Sequence, residues 1–108
     1  MYYIILTANL HPDLIKIHLL HVISDTPLAK MYESGAYTPI DRQEYIDTVC
    51  DQIELLPDDI VIERVTGDGA ESTLLAPIWS RKKVTIINDI DKELMRRGTY
   101  QGIRCFAT

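Results

Sequence analysis

The sequence predicts an α/β fold of parallel strands joined by crossover helices, resting on three observations. Two runs, LIKIHLLHV (residues 14–22) and IVIERVT (60–66), have the density of branched apolar residues found in buried strands. Between them lie about 35 residues holding two helical patterns, a separation that suits a parallel crossover and not a hairpin. The chain is also short: 108 residues, 46% hydrophobic and 25% charged, make one small globular domain with a modest core.

In chain order, the opening MYYIILTANL is apolar but ambiguous, because periodicity does not separate strand from helix over so short a run. It lacks a basic leader and a small-residue cleavage site, and no stretch approaches the roughly 20 apolar residues of a bilayer span. After the first clear strand, SDTPLAKMYESG offers Thr26 as a cap, Pro27 at the first helical position and Gly35 as a terminator, which predicts a helix over 27–34. AYTPI is a loop. In DRQEYIDTVCDQIELL, Asp41 and Glu44 have capping-box spacing, and Ile46, Val49, Cys50, Ile53 and Leu56 share one face. That predicts a helix of about four turns, stopped by Pro57. IVIERVTGDGA reads as the second strand, closed by a glycine-containing turn, and STLLAP as a short helix halted by Pro77. Ser80 is placed to cap a long helix with Val84, Ile87, Ile90, Leu94 and Met95 as apolar positions, and Arg96, Arg97 and Gly98 supply its cationic last turn and stop. The tail YQGIRCFAT is either a third short strand or a docking segment.

Charge and cysteine usage exclude several classes. A net charge of -5 and a pI near 5.0 argue against a stand-alone binder of nucleic acid or anionic membrane, leaving room only for a local basic patch. Cys50 and Cys105 lie 55 positions apart with no CxxC near either, so neither a zinc ribbon nor a disulfide framework is expected, and a reducing cytoplasm is the default.

The polar residues inside the strands carry the functional question. Alternation places Ile15, Ile17 and Leu19 on one face and Lys16, His18 and Leu20 on the other, with His21 on the isoleucine side near the strand end. An ordinary doubly wound sheet is apolar on both faces, so a Lys and His pair on one face is a departure, which a barrel explains by turning them toward a ligand in its lumen. Arg64, Thr66 and Asp68 approach the C-terminal end of the second strand, where parallel α/β proteins build their sites. The plainer reading is that Lys16 and His18 face solvent on an edge strand and that Arg64 pairs with a surface carboxylate.

Other constellations are weaker. His18 and His21 point to opposite faces and do not share a metal with His11. Cys50 lies on the apolar helix face and reads as core, as does Trp79. VTGDGAES lacks GxGxxG and a P-loop lysine. The run Arg81, Lys82, Lys83 sits in a helix's first turn, against its dipole, as a partner-facing or simply solvated cluster.

Six phrases, IKIHLLHV, TPLAKMYESG, EYIDTVCDQIELLP, IVIERVTGDG, LLAPIWS and LMRRGTYQG, occur in one order over residues 12–102. Together they resemble the C-terminal portion of bacterial radical S-adenosylmethionine (SAM) iron-sulfur oxidoreductases related to the elongator-type catalytic subunits. The resemblance implies a partial (β/α) barrel around a 4Fe-4S cluster and SAM, the cluster held by a CxxxCxxC loop and the SAM cleaved to a radical that abstracts hydrogen. This chain has no such loop, so no cofactor of its own and no catalysis alone are expected; it would be the last part of such an enzyme, contributing late barrel strands, with a helix in part of the first dozen residues. The implied positions lining the SAM and substrate cavity are Lys16, His18, Arg64, Thr66 and Asp68, with Lys16 or Arg64 able to pair with a carboxylate or phosphate. The implied partners are the remainder of the parent chain and a tRNA substrate of that parent. Open sheet edges lead us to expect self-association as well. The competing reading is an autonomous module that binds protein or RNA through Arg81–Lys83 and the basic LMRRG segment. A hydrolase built on His18 and Asp68 has no motif behind it.

Overall fold

The computed structural model of the chain describes residues 7–8, 10–66 and 73–105. Asp68 and the opening MYYIIL lie outside them, while Thr7, Ala8 and Leu10 are helical, with His11 N–H bonded to Thr7 O at 3.1 Å.

The elements run β1 (Leu14–Lys16), β2 (Val22–Ile23), α1 (Pro27–Glu33), α2 (Arg42–Leu55), β3 (Val61–Arg64), β4 (Leu74–Ala76), a 3-10 turn (Ile78–Arg81) and α3 (Lys83–Arg97). β1 and β3 pair in parallel, with Leu14 opposite Val61 and Ile15 opposite Ile62, joined by the helical crossover that the spacing predicts. The fold is α/β. Among the described residues no helix is long and apolar enough to cross a membrane.

LIKIHLLHV is not one strand. A bulge after Ile15 pairs Lys16 with Arg64, and one further bond, Ile17 N–H to Arg64 O at 2.8 Å, ends the ladder. β3 itself stops at Arg64, and residues 18–21 are in no strand. The chain then forms β2, which pairs antiparallel with β4. STLLAP is correspondingly not a helix: Leu74 and Ala76 are buried with Leu75 between them half-buried, a period of two that β2 completes.

The helices begin and end for local reasons. Thr26 Oγ1 accepts from Ala29 N–H at 3.1 Å, and Pro27 opens α1. α2 starts after Asp41 without a side-chain cap, with Glu44 complementing the dipole. Ser80 does not cap α3; its hydroxyl donates to Pro77 O at 2.7 Å within the 3-10 turn, and the helix starts two residues later, with Lys82 in the cap position. Gly98 ends α3 in the left-handed region at φ 68, its N–H reaching the carbonyls of Leu94 and Met95.

Leu19, Tyr45, Ile46, Val49, Cys50, Ile53, Ile86 and Ile90 form the main core between β1–β3, α2 and α3, and Ile17, Ile62 and Val65 pack against it. α3 turns Ile90 and Leu94 of its predicted apolar face inward, but not the rest of that face. Ile86, Ile90 and Glu93 are buried, whereas Val84, Ile87 and Met95 are exposed. The tail docks: Gly102 N–H bonds Ile53 O at 3.1 Å and Arg104 N–H bonds Glu54 O at 2.8 Å. Gly102 has φ 88, and a Cβ there would stand 3.1 Å from Asp58 N and 3.2 Å from Leu56 O, so only glycine fits.

Candidate site: an open sheet face and a groove beneath the last helix

Among the described residues, the β1–β3 pair has α2 and α3 packed on one side. On the other side Leu14, Lys16, Val61 and Glu63 are exposed, with Lys16 Nζ paired to Glu63 Oε2 at 3.4 Å, and His18 and Leu20 are exposed beyond the end of β1. Lys16 thus stands on a face that mixes branched apolar groups with charge, and His18 is exposed just beyond the end of β1.

Arg64 and Thr66 are on the other side. They line a groove of about 740 Å³ between β3 and α3, walled by Ile62, Ile87, Ile90 and Leu94. Thr66 is only 6% exposed, and Arg64 is half-buried. The fold thus brings Arg64 and Thr66 together in the groove, while Lys16, the register partner of Arg64, is exposed beside Glu63 on the other face. The bulge at Ile15/Lys16 and the end of β3 at Arg64 set this division, and neither is visible in the alternation of a single strand.

A dense charge network missed by sequence reasoning holds the C-terminal end of the domain. The Glu54 carboxylate, with 3% of its side chain exposed, accepts from Thr99 Oγ1 at 2.6 Å and Arg104 Nε at 3.0 Å and pairs with Arg97 at 3.4 Å. Arg97 also bonds Asp51 at 2.7 Å and Glu93 at 3.2 Å, and Arg96 pairs with Glu93 at 2.6 Å. Burial raises the Glu54 pKa, but hydrogen bonds from Thr99 and Arg97 outweigh it and the net shift is downward. The Arg96 hydrogen bond brings Glu93 to about 2 against the desolvation of its site. Acidic residues spaced along α2 at 47, 51 and 54 facing Arg97 are the signal that could have found the network. Its consequence is that the basic LMRRG end does not stand as a bare cationic patch, because both arginines are neutralised within the chain.

Cys50 is fully buried, its Sγ donating to Ile90 O at 3.6 Å, and burial pushes its thiol up to about 11. Cys105 is half-buried in the docked tail. Among the described residues no three His, Cys, Asp or Glu side chains are grouped to hold a metal ion.

The Radical_SAM C-terminal domain family matches residues 12–96. The uncharacterized protein YtqA of Bacillus subtilis is 42% identical over 95 residues, covering 88% of this chain and 30% of that protein. An uncharacterized protein of Methanocaldococcus jannaschii is 37% identical over 95 residues, covering 87% of this chain and 30% of its own length. The protein YhcC of Escherichia coli K12 is 30% identical over 86 residues, or 80% and 28% of the two chains. The match therefore spans less than a third of each of these curated relatives. With the family's domain covering its strands, crossover and last helix, the chain belongs to the radical SAM C-terminal domain family.

Proposed function

We propose that this chain acts as the C-terminal part of a radical SAM enzyme, closing one side of a SAM and substrate cavity with the uncovered face of β1–β3. The observation that supports this reading is the sheet face that no helix covers among the described residues, where Lys16 is exposed among Leu14 and Val61 with His18 exposed just past the strand. A cavity wall for a ligand with both apolar and anionic parts has this mixed composition, and a lysine in it offers a charge-assisted hydrogen bond.

The residues present do not fit a 4Fe-4S cluster. Cluster iron is held by cysteine thiolates, whereas Cys50 is sealed in the core with its thiol held protonated and Cys105 lies far from it in sequence. The cluster, on this reading, belongs to polypeptide outside the matched region, and the role of this chain is to shape and charge the cavity.

The test is co-expression of this chain with the portion of the Bacillus subtilis relative outside the matched 30%, followed by assay of SAM cleavage to 5′-deoxyadenosine. The expected result is that the two copurify and that adding this chain raises cleavage several-fold. Lys16→Ala should lower that gain without disturbing copurification. Equal cleavage with and without the chain, or copurification with no effect of Lys16→Ala and His18→Ala together, would count against the reading.

A further inference from the structure

The residue pattern of β3 does not decide which of its faces turns inward. Ile60, Ile62 and Arg64 alternate with Val61, Glu63 and Val65, so each face offers branched apolar groups and one charge. The ladder with β1 is short and interrupted by a bulge, and a slip of one residue would exchange Glu63 for Arg64 on the open face. The register therefore depends on contacts outside the ladder, and the C-terminal segment supplies a specific one.

Pro57 and Ile60 bracket the turn that leads into β3, closed by Ile60 N–H to Pro57 O at 3.1 Å. The Gln101 side-chain nitrogen donates to both carbonyls of this turn, to Pro57 O at 2.7 Å and to Ile60 O at 2.8 Å. Carbonyls only accept, so the position calls for a side chain with two N–H groups, which a carboxamide has. Gln101 is itself held in place. Gly102 N–H bonds Ile53 O at 3.1 Å, Arg104 N–H bonds Glu54 O at 2.8 Å, and the glycine passes against Asp58 and Leu56 where no Cβ fits. Val61 follows Ile60 directly, and its N–H bonds Asp13 O at 3.0 Å just ahead of β1. The turn that Gln101 grips is thus the point from which the strand is counted.

We propose that Gln101 is the register lock of β3. By holding the carbonyls of Pro57 and Ile60 it keeps Val61 and Glu63 on the open face, where Glu63 meets Lys16 at 3.4 Å, and Arg64 in the groove. It is a positioning residue, acting through the strand on the wall that carries Lys16. Only the consequence for SAM cleavage rests on the cavity reading above.

Amide exchange of the whole chain, read residue by residue near neutral pH, tests the lock. Gln101→Glu is isosteric but turns acceptors toward both carbonyls. It should speed exchange at the Val61 and Ile17 N–H groups at least about tenfold, while Ser24 N–H, bonded to Thr73 O beside the β2–β4 pair, stays unchanged. Gln101→Ala removes the donors without adding charge and should act in the same direction. Gln101→Lys, which keeps donors at similar reach, should restore most of the protection. Unchanged exchange at Val61 in both Gln101→Glu and Gln101→Ala, equal acceleration at Ser24, or no rescue by lysine would overturn the proposal. In the cleavage assay Gln101→Ala should reduce the gain as Lys16→Ala does and add no further loss on top of it; additive losses would overturn the action through Lys16. A wild-type chain without any gain would defeat the cavity reading, and the exchange result would still decide the lock.

Discussion

The two faces of the β1–β3 pair obey different rules. Among the described residues one is covered by α2 and α3, with Ile17 and Ile62 packed against the core; the other shows Leu14, Lys16, Val61 and Glu63 to solvent. A sheet half covered in an otherwise well-packed domain separates what stability requires from what it does not. Residues on the covered side are constrained by packing density, and residues on the open side are left to be explained by what they contact.

Core truncation should separate the two faces most sharply. Ile46, 1% exposed beneath the covered face, should lose about 3–4 kcal/mol of unfolding free energy as Ile46→Ala, whereas Val61→Ala on the open face should lose less than about 1 kcal/mol, both read by urea denaturation. Similar losses at the two positions would mean that the open face is not open. The next largest effect belongs to the charge network that pins the tail to α2. Glu54→Ala removes the acceptor shared by Thr99, Arg97 and Arg104 and should cost about 2–3 kcal/mol, with proteolysis of the 99–105 segment accelerated.

The same network sets a pH dependence. The folded Glu93 carboxyl is held down to about 2 by Arg96 from an ordinary value near 4.5, and Glu54 is lowered as well. A depressed folded pKa stabilises above the unfolded value and is lost as protons bind, so stability should be flat above pH 5 and decline from about pH 4.5 toward 2. An acid titration of the urea midpoint checks this, and Glu93→Gln should flatten the decline. The smallest effect is at the open face itself. Lys16→Ala breaks an ion pair whose partners are both nearly half exposed and should change stability by less than about 0.5 kcal/mol.

Much of this architecture was legible in the sequence. The α/β class, the parallel crossover, α1 with its Thr26 cap, α2 and the Gly98 stop follow from periodicity and capping chemistry, and each has a cause within a few residues of itself. What was not legible depends on distant partners. β4 exists because β2 is beside it, and LIKIHLLHV breaks because β3 ends at Arg64. The inward face of α3 is set by its packing on α2, which favours Ile86 and Glu93 over Ile87 and Met95. The candidate site was read unevenly for the same reason. Alternation groups Lys16 with His18, but β1 ends at Lys16, and the side on which Arg64 and Thr66 lie is fixed by a bulge and a helix that no local pattern announces.

The central claim is that this chain supplies a cavity wall and leaves the iron chemistry to polypeptide beyond it. Anaerobic reconstitution of the isolated chain with iron and sulfide, followed by desalting and iron determination, tests this most directly. The expected result is no retained iron and no thiolate-to-iron charge-transfer absorption, since the chain offers no set of cysteine thiolates for a cluster. Four irons per chain, lost on Cys50→Ser or Cys105→Ser, would contradict it.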